Sequence, residues 1–116
     1  MPLPAGFESA LADIVGVENV LTAPEDLVPY GFDGTAALRE RPAVVVLPGS
    51  TEEVSRCVQW ANALEVSITT RGSGTGLSGG SVPTAGGLVL CLVRMNRVLE
   101  VDPKNLTVRA QCGAIT

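Results

Sequence analysis

The sequence predicts an α/β (α+β) fold: a small parallel sheet built around a β-α-β unit, followed by a β-hairpin. Three observations carry this. Ala43-Val-Val-Val-Leu47 is a continuous β-branched and apolar run, which marks a strand covered on both faces. A helical pattern follows from a cap at Ser50 to about Leu64, and a second strand, Val66 to Thr70, comes after one short turn. Further on, the runs Val98–Val101 and Leu106–Gln111 flank Asp102-Pro-Lys-Asn105, a turn signal that folds them into an antiparallel pair.

The elements follow in order. Residues 6–16 read as a short helix with Phe7, Leu11, Ile14 and Val15 on one face. Val17 to Leu21 is compatible with a short strand or a turn. Thr22 to Gly34 is a polar, turn-rich connector that reads equally as a surface loop and as a segment serving a ligand. After the first strand, Ser50-Thr-Glu-Glu53 forms a capping box, in which Ser50 accepts from the Glu53 N–H while Glu53 reaches back. Val54, Cys57, Val58, Ala61 and Leu64 then make the buried stripe of the helix, leaving Arg56, Gln59 and Asn62 to solvent. The two strands of the unit should be parallel. Gly87 to Leu92 reads as a further strand. The last strand of the hairpin would be an unpaired edge if nothing followed it, so the chain is expected to be the N-terminal part of a longer protein. Two regions result: residues 1–41, an N-terminal helix and connector, and residues 42–116, an incomplete domain.

Composition narrows the function. The chain has 116 residues, 46% hydrophobic and 17% charged, with a net charge of −4. That is globular and not disordered. Its eight basic residues are scattered and form no run, and there are only four aromatics, Phe7, Tyr30, Phe32 and Trp60. Both facts argue against nucleic acid as a partner. No apolar run approaches the roughly 18 residues of a membrane span, and the first residues do not read as a signal peptide. The three cysteines, Cys57, Cys91 and Cys112, are expected to be buried thiols in a reducing, cytoplasmic compartment. There is no histidine, which removes imidazole acid–base catalysis and makes a metal site unexpected.

The segment richest in chemistry is Arg71-Gly-Ser-Gly-Thr-Gly-Leu-Ser-Gly-Gly-Ser81, with five glycines in eleven residues. Glycine density of this kind lets successive backbone N–H groups surround an anion. Two familiar motifs can be read within it. Gly74, Gly76 and Gly79 spell G-x-G-x-x-G, and Glu100 stands about 20 residues on. That motif needs a helix opening at its third glycine. Pro83, Gly86 and Gly87 make such a helix unfavourable. The loop also approaches G-x-x-x-x-G-K-[ST], but Gly80 occupies the lysine position. A bland reading as a flexible linker is weakened by the arginine at the mouth and by the hydroxyls of Ser73, Thr75, Ser78 and Ser81.

These residues together resemble the FAD-linked oxidases with the vanillyl-alcohol-oxidase, or p-cresol-methylhydroxylase-type, flavin fold. Residues Arg71 to Pro83 are similar to that family's pyrophosphate loop. Pro42 to Pro48 with Ser50 to Val54 is similar to the strand–turn–helix before it, Arg94 to Asp102 to the segment after it, and Tyr30 to Asp33 to an N-terminal tyrosine–aspartate element. The Thr75-to-Pro83 form is nearest the branch that oxidises D-2-hydroxy acids, glycolate oxidase FAD subunits and D-lactate dehydrogenases. The resemblance implies FAD as cofactor. Arg71 would stand at the loop's mouth; Gly72, Ser73, Gly74, Thr75 and Gly76 would meet the pyrophosphate. Ser78, Gly79, Gly80 and Ser81 would continue toward the flavin, and Pro48 would lie near the adenine end. Some members attach FAD through a histidine where Thr75 stands here, so non-covalent binding is implied. Also implied are a small 2-hydroxy-acid substrate, an unidentified electron acceptor, further oxidase subunits, and a cytoplasmic location with the whole complex peripheral to the inner membrane. No catalytic residue is expected in this chain. The alternative is a non-catalytic nucleotide-binding fragment that does not bind flavin on its own.

Overall fold

The computed structural model describes residues 3–32, 40–75, 80, 82–83 and 85–115. Strands β1 (Val20–Leu21), β2 (Val44–Val46), β3 (Ile68–Arg71) and β4 (Leu88–Cys91) form one sheet in the order β1-β2-β4-β3. Strand β4 is parallel to both neighbours, with Val89 flanked by Val45 and Thr69, while β1 runs antiparallel to β2. The two strands of the expected β-α-β unit are therefore parallel, but they are not adjacent. Strand β4 lies between them. Every residue of β2 and β4 is buried, whereas β3 reads Ile-Thr-Thr-Arg and is only partly covered. The most apolar strand takes the centre, and the threonine-bearing one takes the edge.

Helices α1 (Phe7–Val15) and α3 (Thr51–Ala63) cover one face of the sheet. Leu11, Val15, Cys57 and Ala61 pack there against Val44, Val46, Leu88 and Leu90. Burying a leucine or valine of this kind is worth roughly 1.5–3 kcal/mol, so these four strand residues hold both helices. Helix α3 is closed at both ends by its own sequence. The Ser50 Oγ accepts from the Glu53 N–H at 3.2 Å, and the Glu53 carboxylate accepts from the Gly49 N–H at 3.0 Å. Glu53 thus reaches one residue further back than a capping box requires. At the other end the Val66 N–H bonds the Ala61 carbonyl and the Glu65 N–H bonds that of Asn62, a Schellman closure. Glu65 takes the left-handed position, φ 55°, where glycine is usual. Because Val66 is still tied to the helix, β3 begins at Ile68 and not at Val66.

The buried stripe of α3 is narrower than expected. Cys57 and Ala61 are fully covered and Val54 and Trp60 pack on the core, but Val58 and Leu64 are 41% and 43% exposed. Val58 lies on the flank of the stripe, and Leu64 lies past the last helical residue. The connector departs more. It contains helix α2 (Pro24–Leu27) and a 3-10 turn over Val28–Tyr30. Leu27 is buried with Val45, Val89 and Cys91, and Tyr30 packs beside them. The segment covers the second face of the sheet and is not a surface loop. The remaining connector residues, 33–39, lie outside the described set.

The hairpin forms as expected from β5 (Val98–Asp102) and β6 (Thr107–Ala110), with Val101 opposite Val108 and Glu100 opposite Arg109. The Asp102 carboxylate accepts from the backbone N–H groups of Lys104 and Asn105 and from the Asn105 amide. The Asn105 amide, followed by these backbone bonds, holds its pKa below the ordinary value.

All three cysteines are free; Cys57 and Cys91 are buried, but Cys112 is exposed in the turn after β6, contrary to expectation. Burial, reinforced by the Glu53 carboxylate and opposed by Arg56, pushes the Cys57 thiol up to about 11 from 9.0. Because the folded pKa is the higher one, the neutral thiol's stabilising contribution is complete below the unfolded value and is lost as pH rises through about 11. In a thiol-reagent titration of the native protein, Cys112 should react at once. Cys57 and Cys91 should react only after denaturation, and Cys57 should stay protected at pH 9. Rapid native labelling of Cys57 would contradict the packing of α3 on the sheet.

Candidate functional site

Because β2, β3 and β4 are mutually parallel, their carboxyl ends share one edge of the sheet. Three segments meet there: Leu47 to Ser50 after β2, Gly72 to Thr75 after β3, and Leu92 to Met95 after β4. Open α/β sheets bind ligands at this edge. The β4 ladder stops at Leu92. Its N–H bonds the Arg71 carbonyl, but its own carbonyl accepts from Met95, so the ladder does not continue to Ser73. None of the N–H groups from Gly72 to Thr75 donates to the backbone of another described residue.

Arg71 ends β3 on the same face as Cys91 and Tyr30, and it is only 7% exposed. One guanidinium nitrogen donates to the Phe32 carbonyl at 3.0 Å and the other to the Ser73 carbonyl at 3.3 Å. Its centre sits 5.3 Å from the middle of the Tyr30 ring, a cation–π distance. The Nε–H is buried and has no hydrogen-bond partner among the described residues. Beside it the Cys91 thiol approaches the Gly72 carbonyl at 3.7 Å. Burial, then Cys91 and Asp26, raise the Tyr30 pKa, while the Arg71 charge pulls it back. The guanidinium is therefore folded beneath the start of the loop and links it to the connector.

The glycines here are of two kinds. Gly74 has φ 79°, and a Cβ on it would overlap the Arg71 guanidinium. Gly72 faces open space, with nothing within 4 Å of the position a Cβ would take. The same is true of Gly80, further along the loop. Ser73 and Thr75 are exposed, and Pro48 is fully buried under the turn that follows β2. Gly76, Ser78, Gly79 and Ser81 lie outside the described residues. Between Thr75 and Leu88 only residues 80, 82–83 and 85–87 are described, so the expectation that no helix opens at the third glycine, Gly79, falls outside the described residues.

Arg94 also belongs to this edge and was not singled out by its sequence. It donates to the Leu47 carbonyl, stands 4.0 Å from the Glu53 carboxylate and closes over Gly49. The available signal was a cation placed just past the end of a buried strand. The N-terminus of α3 points to the same edge, where Ser50 accepts from the Glu53 N–H and Glu53 from the Gly49 N–H. Among the described residues no group of histidine, cysteine, aspartate and glutamate could hold a metal ion. No described helix is long and apolar enough to cross a membrane.

This edge fits a bulky anionic ligand. Among the described residues it has N–H groups without a backbone acceptor, open space over Gly72 and a buried cation with an unspent donor. Comparison with known proteins identifies the family. The sequence is 41% identical over 106 residues to the glycolate oxidase subunit GlcD of Bacillus subtilis, covering 91% of this chain and 23% of that one. It is 41% identical over 104 residues to a D-2-hydroxyglutarate dehydrogenase of Xanthomonas citri pv. viticola, covering 90% and 22%. The chain thus spans less than a quarter of the length of these relatives. The fold superposes on p-cresol methylhydroxylase with a TM-score of 0.82 at 24% identity, over 92% of this chain and 22% of that one. A family model described as an FAD binding domain matches residues 42–116, and the chain belongs to that family.

Proposed function

We propose that this chain is the FAD-binding portion of a flavin-dependent oxidoreductase that oxidises a small D-2-hydroxy acid. The observation that carries the reading is the Gly72–Thr75 segment, with open space at Gly72 and N–H groups that donate to no backbone carbonyl among the described residues, in a chain of the FAD-binding family. The substrate class rests on relatives. Those named for glycolate, D-2-hydroxyglutarate and D-lactate all carry a 2-hydroxy acid in their names. The name of the first relative includes the word subunit, which supports further subunits around the present protein. Free thiols at Cys57, Cys91 and Cys112 suit a cytoplasmic setting.

The division of labour follows. When bound, FAD supplies the redox chemistry by accepting a hydride equivalent from the substrate. The chain's own part is to bind and orient. Gly72 to Thr75 offer backbone donors to the pyrophosphate. Pro48, buried at the end of β2, gives the neighbouring turn a fixed wall. Arg94 ties that turn to the segment after β4. Thr75, with no histidine anywhere in the chain, leaves this segment without the nucleophile a histidyl link requires, so the cofactor is held non-covalently here.

Three outcomes are expected of the full-length protein. It should carry a flavin spectrum that bleaches under anaerobic addition of D-lactate, glycolate or D-2-hydroxyglutarate; a bound flavin that none of the three reduces would remove the substrate class. A protein without flavin after reconstitution would instead favour the non-catalytic alternative. Denaturation should release FAD intact into the supernatant, and flavin remaining with the precipitate would contradict non-covalent binding. Finally, Gly74→Val should lower the flavin-to-protein ratio after gel filtration at least tenfold, because the position needs positive φ and the side chain would displace Arg71. Gly80→Ala, where space is open, should retain more cofactor than Gly74→Val.

A further inference from the structure

Arg71 is the one described cation that is buried, and its surroundings are unusual. Two carbonyls and an aromatic ring face it, but no carboxylate among the described residues forms an ion pair with it. A guanidinium with no counter-charge among the described residues is expensive to bury, and a buried N–H with no acceptor among them adds to that expense. An apolar side chain at this position would remove both penalties. The sequence instead places the charge directly beneath the segment whose N–H groups are uncommitted. Gly74 is shaped to admit it, since any Cβ there would occupy the guanidinium's place.

We infer that Arg71 is a positioning residue whose buried charge is the electrostatic complement of the pyrophosphate on the far side of the Gly72–Thr75 backbone, acting through the loop and not as a surface ligand. This rests on the FAD reading above. Two effects combine. The guanidinium holds the Ser73 carbonyl inward, which turns neighbouring N–H groups away from it and toward the open side. Its charge then strengthens those donors in a medium of low dielectric, where an anion benefits more than in water. The bond to Phe32 adds a mechanical consequence: the connector and the loop share one anchor, so ordering of one is tied to ordering of the other.

The test separates charge from hydrogen bonding in the full-length apoprotein. Arg71→Gln keeps a donor but loses the charge, and Arg71→Lys keeps the charge but loses the fork. Far-UV circular dichroism and melting temperature establish folding, and FAD affinity is read by flavin fluorescence. We expect Arg71→Gln to weaken FAD binding at least tenfold while its apoprotein melts near the wild-type temperature, and Arg71→Lys to recover most of the loss. Unchanged affinity in Arg71→Gln, or equal losses in both variants, would overturn the inference. Should the Gln variant not fold, inorganic pyrophosphate is the second probe. It should compete with FAD for the wild-type and Arg71→Lys apoproteins, and failure to compete in either overturns the inference. A wild-type protein that binds no FAD at all would overturn the proposed function instead, which keeps the two failures distinct.

Discussion

The position of β4 constrains the rest of this structure. Two parallel neighbours cannot be joined by a tight turn; the chain must travel from the carboxyl end of one to the amino end of the next. Strands β3 and β4 are such neighbours, and residues 72–87 make the journey. The usual solution is a helix packed on the sheet. Here both faces are already occupied, one by α1 and α3, the other by the connector with Leu27 and Tyr30. The crossing begins as exposed glycine-rich backbone at the carboxyl edge. It ends where Gly86 and Gly87 bond to Arg41 and Ala43 at the other edge. A glycine-rich backbone that must start at this edge suits the anion site proposed there. The topology and the site are therefore one constraint.

What could be read from the sequence follows the range of the forces involved. Helices α1 and α3, the Ser50 cap, the buried run of β2 and the Asp102–Asn105 turn are set by residues within a few positions of one another, and each is found where the pattern puts it. The insertion of β4 between β2 and β3 depends on a comparison of three distant segments, Val44–Val46, Ile68–Arg71 and Leu88–Cys91, and no local pattern states it. The connector fails for a related reason. Thr22 to Tyr30 is polar and carries two prolines, so it reads as a loop; only the second apolar face of the sheet explains why Leu27 is drawn in. Cys112 was grouped with the other thiols because its exposure is decided by a turn that packs against Leu92 and Met95.

The site shows the same division. The loop's glycines announce themselves through composition. Arg71 was read as sitting at the mouth of the loop. Its inward course depends on the Phe32 carbonyl, 39 residues earlier in the chain, and on the Tyr30 ring. Arg94 opened the block likened to the segment after the loop but was given no role, because its partners, Leu47 and Glu53, lie in the β2–α3 region more than forty residues away.

These two arginines stand at one edge of the sheet and are of unequal electrostatic value. Arg94 is partly exposed and faces the Glu53 carboxylate, so its charge is largely offset and further screened by solvent. Its contribution is geometric: it fixes the turn after β2. The charge of Arg71 is offset by no ion pair among the described residues and is shielded from water by Tyr30, Cys91 and the loop itself. Carbonyl oxygens and a ring face lower the cost of burying it without neutralising it. On the inference drawn above, the positive charge acting on the Gly72–Thr75 backbone is that of the residue least visible from solvent. A site arranged in this way keeps a smooth backbone surface toward the ligand and places its cation where water cannot compete for it.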